Sequence, residues 1–412
     1  MIKKEAGRLL LRVWALILAL ALGPGALASV YVVNAGGVAA LVDGGGAPLL
    51  EGDLGAAFEV RPGALYAAGE PGAYDLYDAA GTRLFGPFEM IEDMGGPLVF
   101  RRGGLYGAVD GTGELMLSPE WTQLTWGGGF LALEGNPLDE QPDEVLSLSD
   151  DGEARPTGVT TESGLAPFHG GLMVFRAPDG RYGALNGAGE AVISAEWAFI
   201  ADFVDGASIV SDGAMYGLIG PEGQVLAGTA YVWLQRGERG LFGLREDGAL
   251  DLLAPDGRVT ATIDDPDGPV SVAGRCVAAG GTLYGPDGAA VYSGSGEALF
   301  FPGLDGQTVV SDGPWGSACE QLLDPDGRPV SEKYPRILPL AAERYAFITF
   351  GDDFADPRCG LLDAAGHERL PPDYREILPT GNDRLVLLTD EAVLFADMDG
   401  NVLRRWERVE HE

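Results

Sequence analysis

Eleven glycines, at positions 46, 81, 113, 152, 189, 223, 257, 288, 327, 366 and 400, recur at intervals of 31 to 39 residues along a chain of 412. A period of that length is the mark of a repeat architecture, in which each unit buries its apolar surface only against its neighbours. Around Gly189 the unit reads RYGALNGAGEAVISAEWAFIADFVDGASIVS, residues 181–211. Three short runs rich in β-branched and apolar residues are separated there by Gly, Asp and Asn, which predicts a three-stranded β-meander.

The copies keep their internal spacing. An aromatic follows the turn glycine by eight residues at Trp121, Trp197, Tyr231 and Tyr374, and by seven at Phe88 and Tyr334. Three residues after the aromatic stands Leu124, Ile200, Leu234, Ile337 or Ile377. Six residues before the turn glycine is another glycine, at 107, 183, 217 and 360, preceded by Tyr106, Tyr182, Tyr216 or Cys359. The units around Gly257 and Gly288 are degenerate, and Gly248 competes with Gly257 as the anchor.

This order resembles the WG repeat family: aromatic-Gly, a short strand, Asp-x-x-Gly, a strand, Pro-x-Tyr and a Phe-x-x-Gly stretch. LYGAVDGTGELMLSPEW (105–121) and CGLLDAAGHERLPPDY (359–374) carry the resemblance most closely. Tyr, Phe or Cys usually stands where the family has Trp, and the literal pair Trp315-Gly316 is displaced by five residues from its turn. The resemblance covers roughly residues 30–405. It implies a β-repeat scaffold and is uninformative as to chemistry, since the family has no shared catalytic residues to carry over.

The expected fold is all-β: ten or eleven three-stranded units over residues 29–405, followed by a polar tail, 406–412. A propeller-like toroid is the first expectation, because closure hides sheet edges. An open β-solenoid or superhelix is the alternative. Lobe breaks are expected, if anywhere, near 135–144 or 257–306. Insertions are expected at NPLDEQPD, residues 136–143, and at GDDFADP, residues 351–357.

Residues 1–28 have the form of a secretory signal, with Lys3, Lys4, Arg8 and Arg12 before an apolar run and Ala26-Leu27-Ala28 at its end. The expectation is a secreted or non-covalently surface-associated protein with no membrane span after cleavage. The full chain carries 27 basic and 62 acidic residues, net −35. Removing four basic residues and one acidic residue with the signal leaves 23 − 61 = −38. A surface so acidic repels nucleic acid and anionic lipid.

Pro-Asp-Gly recurs at 255–257, 266–268, 286–288 and 325–327. Pro and Asp suit the corners of a type I turn, and Gly suits the left-handed position that closes a bulged hairpin. Asp-Pro-Asp-Gly also resembles the start of a calcium loop, but the loop of about twelve residues with its closing Glu is absent. No cofactor is expected, with calcium as the alternative. Cys276, Cys319 and Cys359 are expected to be buried thiols, one disulfide being the alternative in an exported protein. His169, His367 and His411 have no metal-ligand spacing, and no nucleophile elbow, phosphate loop or dinucleotide fingerprint occurs. Ser-Asp-Gly at 211–213 and 311–313 is expected to form hairpins between units.

The one-per-unit aromatics Trp121, Trp197, Tyr231, Tyr334 and Tyr374 are expected in the inter-unit core, with a sugar-binding surface as the alternative. Trp126, Trp233 and Trp315 stand off that register and are the candidate ligand contacts. The expected function is a non-catalytic scaffold that binds protein or cell-envelope material. The alternative is a carbohydrate-binding or carbohydrate-active protein.

Overall fold

The computed structural model describes residues 30–52, 54–134, 143–149, 152–238, 240–264, 266, 268–313, 319–341, 343–350, 356–381 and 383–408. The expected signal, residues 1–28, lies outside them. The described chain is all-β, and every sheet is an antiparallel meander of strands in sequence order. Nine sheets have three or four strands; the tenth has seven and is two meanders sharing the strand Val225–Arg236. Eleven blades result, spanning 30–52, 56–88, 90–121, 123–161, 172–197, 199–236, 225–263, 270–293, 299–323, 336–374 and 376–407, numbered 1–11 in that order.

The period in the sequence is real, but its frame is out of phase with the blades. In the unit at 181–211, Tyr182–Asn186 pairs with Ala191–Trp197 and ends blade 5. Phe199–Ile200 and Ser208–Ser211 pair with each other and open blade 6. The expected three-stranded unit therefore straddles two blades, and most blades have four strands. A period carries no phase: any cyclic permutation of the unit has the same spacing, and only the hydrogen bonding decides where one sheet stops. For the same reason Ser211-Asp212-Gly213 lies inside a blade, in the hairpin joining Ser208–Ser211 to Tyr216–Ile219, and not between units. Ser311-Asp312-Gly313 likewise begins the connection between strands two and three of blade 9, Thr308–Asp312 and Cys319–Leu323.

All eleven turn glycines have φ between 77° and 86°. Each donates its N–H to the carbonyl three residues earlier, for example Gly113 to Asp110 and Gly257 to Ala254, in the hairpin before a blade's last strand or, for Gly327 of blade 9, in the turn after it. Gly257 is thus the anchor of its unit, while Gly248 closes the preceding hairpin of the same blade. Where Asp opens the turn, its Oδ1 accepts two backbone N–H groups: Asp110 from Thr112 and Glu114, Asp363 from Ala365 and His367. These bonds help hold the Asp110 and Asp363 carboxyls below the usual range. The repeated acidic turns are therefore caps on the chain's own backbone.

The second glycine of the unit has a different cause. Tyr106 pairs with Trp121, Tyr182 with Trp197, Tyr216 with Tyr231 and Cys359 with Tyr374, and a bulge follows each pair. The bulge pushes an outer-strand carbonyl toward the glycine: a Cβ on Gly107 would sit 2.6 Å from Leu117 O, and on Gly183 2.7 Å from Ile193 O. Only a residue without a side chain fits there.

Packing joins the blades in a circle. Eleven apolar clusters each straddle two successive blades. The clusters take alternate residues of the central strands: Leu98 and Phe100 face blade 2, Val99 faces blade 4. Central strands such as Phe130–Leu133 are therefore apolar throughout, because both faces are buried. One cluster closes the ring, joining Tyr31, Val33, Ala40 and Val42 of blade 1 to Val386, Leu388, Val393 and Phe395 of blade 11. Polar contacts seal the seam: Tyr31 OH donates to Asp383 at 2.9 Å, Thr380 to Val32 O at 2.7 Å, and Arg384 to Gly44 O at 3.2 Å. Burial and the Asp383 bond push the Tyr31 phenol up to about 12. The turn glycines follow the same circle. Each abuts the last strand of the preceding blade or, in blade 9, the segment in its place; Gly46 of blade 1 meets Leu403 and Arg404 of blade 11. The toroid, not the open solenoid, is the fold; the strands on either side of 135–142 belong to one sheet, and successive blades follow one another through 257–306.

Candidate functional surface

An antiparallel four-stranded meander sends its connections out at two ends. The hairpins between strands one and two and between three and four, with the turn glycines, leave on one face of the ring. The hairpins between strands two and three leave on the other, with the crossovers to the next blade. We call these the turn face and the connection face. The segments 135–142, 314–318 and 351–355 join strand two to strand three of blades 4, 9 and 10, so all three depart from the connection face. The two expected insertions and Trp315 fall largely or wholly on these segments, outside the described residues.

The crossovers are tied to the connection face by bonds that differ from blade to blade. The backbone N–H after the outer strand's aromatic donates to the end of the next blade's second strand: Glu89 to Arg101, Thr122 to Leu133, Ala198 to Ser211 and Arg375 to Leu388. Side chains reinforce these ties. Arg101 donates to Glu89 at 2.9 Å, and Ser295 Oγ to Asp312 at 2.6 Å. Arg375 binds both Asp356 and Asp390, and Arg358 binds the same two carboxylates at 3.1 and 2.8 Å. The two arginines help hold the Asp390 carboxyl below its usual range.

The junction of blades 6 and 7 lacks such a break. Strand Val225–Arg236 runs through from the outside of one blade to the inside of the next. A shallow cleft of about 410 Å³, lined by Ala230, Arg245, Glu246 and Asp247, opens on the connection face there. Beneath it lies a buried carboxylate. Asp251 is 3% exposed and accepts from Tyr231 OH at 3.3 Å and Thr262 Oγ1 at 2.7 Å. Arg245 Nε lies 3.9 Å from Asp251 and 3.3 Å from Asp247 but donates no hydrogen bond among the described residues. Burial, with the Asp251 charge next, raises the Tyr231 phenol pKa. This group was missed in the sequence, though a signal existed: Asp251 stands six residues before Gly257, where four other units place glycine.

The candidate tryptophans do not meet. Trp126 in blade 4 is half-buried, its ring 2.9 Å from where a Cβ on Gly96 would be. Trp233 in blade 7 is half-buried against the cluster shared with blade 8. Trp121 and Tyr231 are buried between blades, and Trp197, Tyr334 and Tyr374 pack half-buried on the same kind of cluster. The residues three positions on, from Leu124 to Ile377, are at most 8% exposed. Cys276 is buried, whereas Cys319 and Cys359 are half-buried, and none is in a disulfide; Cys359 Sγ donates to Arg375 O. The expectation of three buried thiols fails for these two, because both sit at the ends of strands near the connection face.

A second buried carboxylate, Glu320 in blade 9, stands where other units place the aromatic before glycine. It accepts from Ile337 N–H at 2.6 Å and lies 3.4 Å from Arg336. Burial raises its pKa above the ordinary 4.5. Its protonated form is therefore favoured in the fold; the stability this brings is complete below pH 4.5 and is lost as pH rises through the raised value. Glu320→Gln keeps an acceptor for Ile337 without the charge. The expected result is a Tm a few degrees above wild type at pH 7 and an equal Tm near pH 4. A lower Tm at pH 7 would show that the Arg336 pair outweighs desolvation.

No family model matches the chain, and no curated protein matches it. Among solved structures it is similar to a eukaryotic initiation factor at 12% identity and a TM-score of 0.44, covering 84% of this chain and 96% of that one. It is also similar to BamB from Moraxella catarrhalis at 13% identity and 0.28, covering 61% and 86%. A third is PorZ, described as an essential bacterial surface component of the type-IX secretion system of Porphyromonas gingivalis, at 12% identity and 0.26, covering 91% and 66%.

Proposed function

We propose that this protein is a non-catalytic binding scaffold, secreted or held non-covalently at the cell surface, that engages a protein or cell-envelope component through its connection face. One observation carries the reading. On the turn face, the hairpins that carry the turn glycines are repeated nearly unchanged around the ring, because those glycines serve packing. The connection face is where polar ties vary from blade to blade, and the segments 135–142, 314–318 and 351–355, which join strands two and three of blades 4, 9 and 10, leave from it. Variation set on a rigid frame is how repeat scaffolds acquire ligands. The form of residues 1–28 and the likeness of the repeat to WG proteins support the compartment and the class.

The test compares faces. Residues 29–412 are immobilised and challenged with an envelope extract from the source cells. Glu70→Arg and Glu196→Arg alter exposed positions on the connection face; Glu222→Arg and Asp399→Arg alter the turn face. The expected result is that retention falls at least tenfold with the first pair and is unchanged with the second. Loss with the second pair only, or no retention by wild type, overturns the reading.

A further inference from the structure

We propose that residues 408–411 dock as the innermost strand of blade 1, on a sheet edge that the described chain leaves open, and so latch blade 11 to blade 1.

Blade 1 is short on its inner side. Its turn glycine, Gly46, precedes its last strand, so the strand it lacks is the first. Blade 5 also lacks a regular first strand. There the segment from Glu162 to His169 holds the place, with Glu162 N–H bonded to Arg176 O and His169 N–H to Leu172 O. Blade 1 has no such segment among the described residues. Its inner edge is the strand Val30–Ala35, paired only with Val38–Asp43. Ala35 and Val38 close a two-residue hairpin, so the ladder bonds fall at Ala35, Val33 and Tyr31, and Val30, Val32 and Asn34 turn their backbone groups inward. The carbonyls of Val30 and Val32 are met there by the hydroxyls of Tyr66 and Thr380. The N–H groups of Val32 and Asn34 have no acceptor among the described residues. Asn34 O occupies the place of the carbonyl that receives the crossover N–H in blades 3, 6 and 11, as Arg101 O does from Glu89. An open edge of this kind takes an added strand.

The occupant is written in the sequence. In Phe88-Glu89-Met90-Ile91-Glu92 the outer strand's aromatic is followed by the crossover residue and then by the next blade's first strand, with an apolar residue three positions after the aromatic. Trp406-Glu407-Arg408-Val409-Glu410 repeats that order, so the stretch expected to be a polar tail carries the register of an inner strand. Ile91 opposes Phe100, Leu124 opposes Ala132 and Ile377 opposes Leu387, each pair within one cluster between blades. The same register sets Val409 opposite Val33, which belongs to the cluster shared by blades 11 and 1. It sets Arg408 opposite Asn34 and Glu410 opposite Val32.

The path is short. Glu407 ends the outer strand of blade 11 on the connection face, where first strands begin. Arg408 already lies beside blade 1, its Cγ 3.5 Å from where a Cβ on Gly36 would be. Its N–H is bonded at 2.8 Å to Glu391 O of its own blade. Docking releases that bond and makes one from Glu407 N–H to Asn34 O, the counterpart of Glu89 to Arg101. Residues 409–412 themselves lie outside the described residues.

The test is amide hydrogen exchange, read by mass spectrometry on the chain 29–412 and on the same chain ended at Arg408. Residues 30–35 are expected to exchange at least about tenfold faster in the shorter chain, while the equivalent strand of blade 3, Leu98–Arg102, is unchanged. Val409→Asp is expected to speed exchange at 30–35 as the truncation does, and Val409→Ile to leave it slow. Equal exchange of 30–35 in the two chains overturns the proposal. So does an equal rise at 98–102, which would mark a general loss of stability, and so does protection that survives Val409→Asp.

Discussion

Replacing Gly257 with alanine is expected to lower the unfolding free energy by about 3 kcal/mol, and replacing Gly248 by about 1 kcal/mol. Both glycines are in the left-handed region, at φ of 84° and 89°, so each substitution carries the same backbone strain. They differ in what lies beyond the missing side chain. A Cβ on Gly248 meets nothing within 4 Å, whereas one on Gly257 would lie 2.6 Å from Leu226 O and 2.8 Å from its carbonyl carbon, on the preceding blade. Backbone cannot swing aside as a side-chain tip can, so blade 7 must move off blade 6. Urea unfolding of the two variants measures the difference. Equal losses would mean that the turn glycines serve only their own hairpins and not the contact between blades.

A double-mutant cycle on Tyr31 and Phe395 is expected to show a coupling of about 0.5–3 kcal/mol, against about 3–5 kcal/mol for Phe395→Ala alone. The rings are 5.5 Å apart, although the residues are separated by 364 positions in the chain. They belong to the first and last blades. In an open array the two sites never meet, and the losses from Tyr31→Ala and Phe395→Ala would add. Phe395 is fully buried, and its cavity would open onto the seam that also holds Val33 and Val393. A coupling within error of zero would reject ring closure. A sizeable coupling fixes the first and last blades as neighbours in solution.

Much of the blade was legible because its demands are local. A left-handed turn position selects glycine whatever lies around it, and all eleven glycines picked out by spacing adopt that conformation. The aromatic and the apolar residue three positions later were legible as core for a related reason: they recur in every well-kept unit, as packing requires and as a single ligand site does not. Leu124, Ile200, Leu234, Ile337 and Ile377 are all buried between blades. The tryptophans chosen as ligand contacts rested only on standing outside that register. Trp126 and Trp233 also pack in part between blades, because a cleft between twisted sheets has room for large rings beyond the repeating set.

By itself the sequence determined the period, the turn chemistry, the all-β class and the acidity, since each depends on a residue and its near neighbours along the chain. Only the tertiary structure decided the rest. Where one blade ends follows from which strands exchange hydrogen bonds, and a periodic string leaves that free. Ring closure follows from the angle accumulated over eleven interfaces, a sum that no single unit encodes. The cleft at Arg245 exists because one crossover of the ring was never broken. The buried charge beneath it, Asp251, is a single change in one degenerate unit, and its neighbours Tyr231 and Thr262 come from strands on either side that only the folded sheet brings to it.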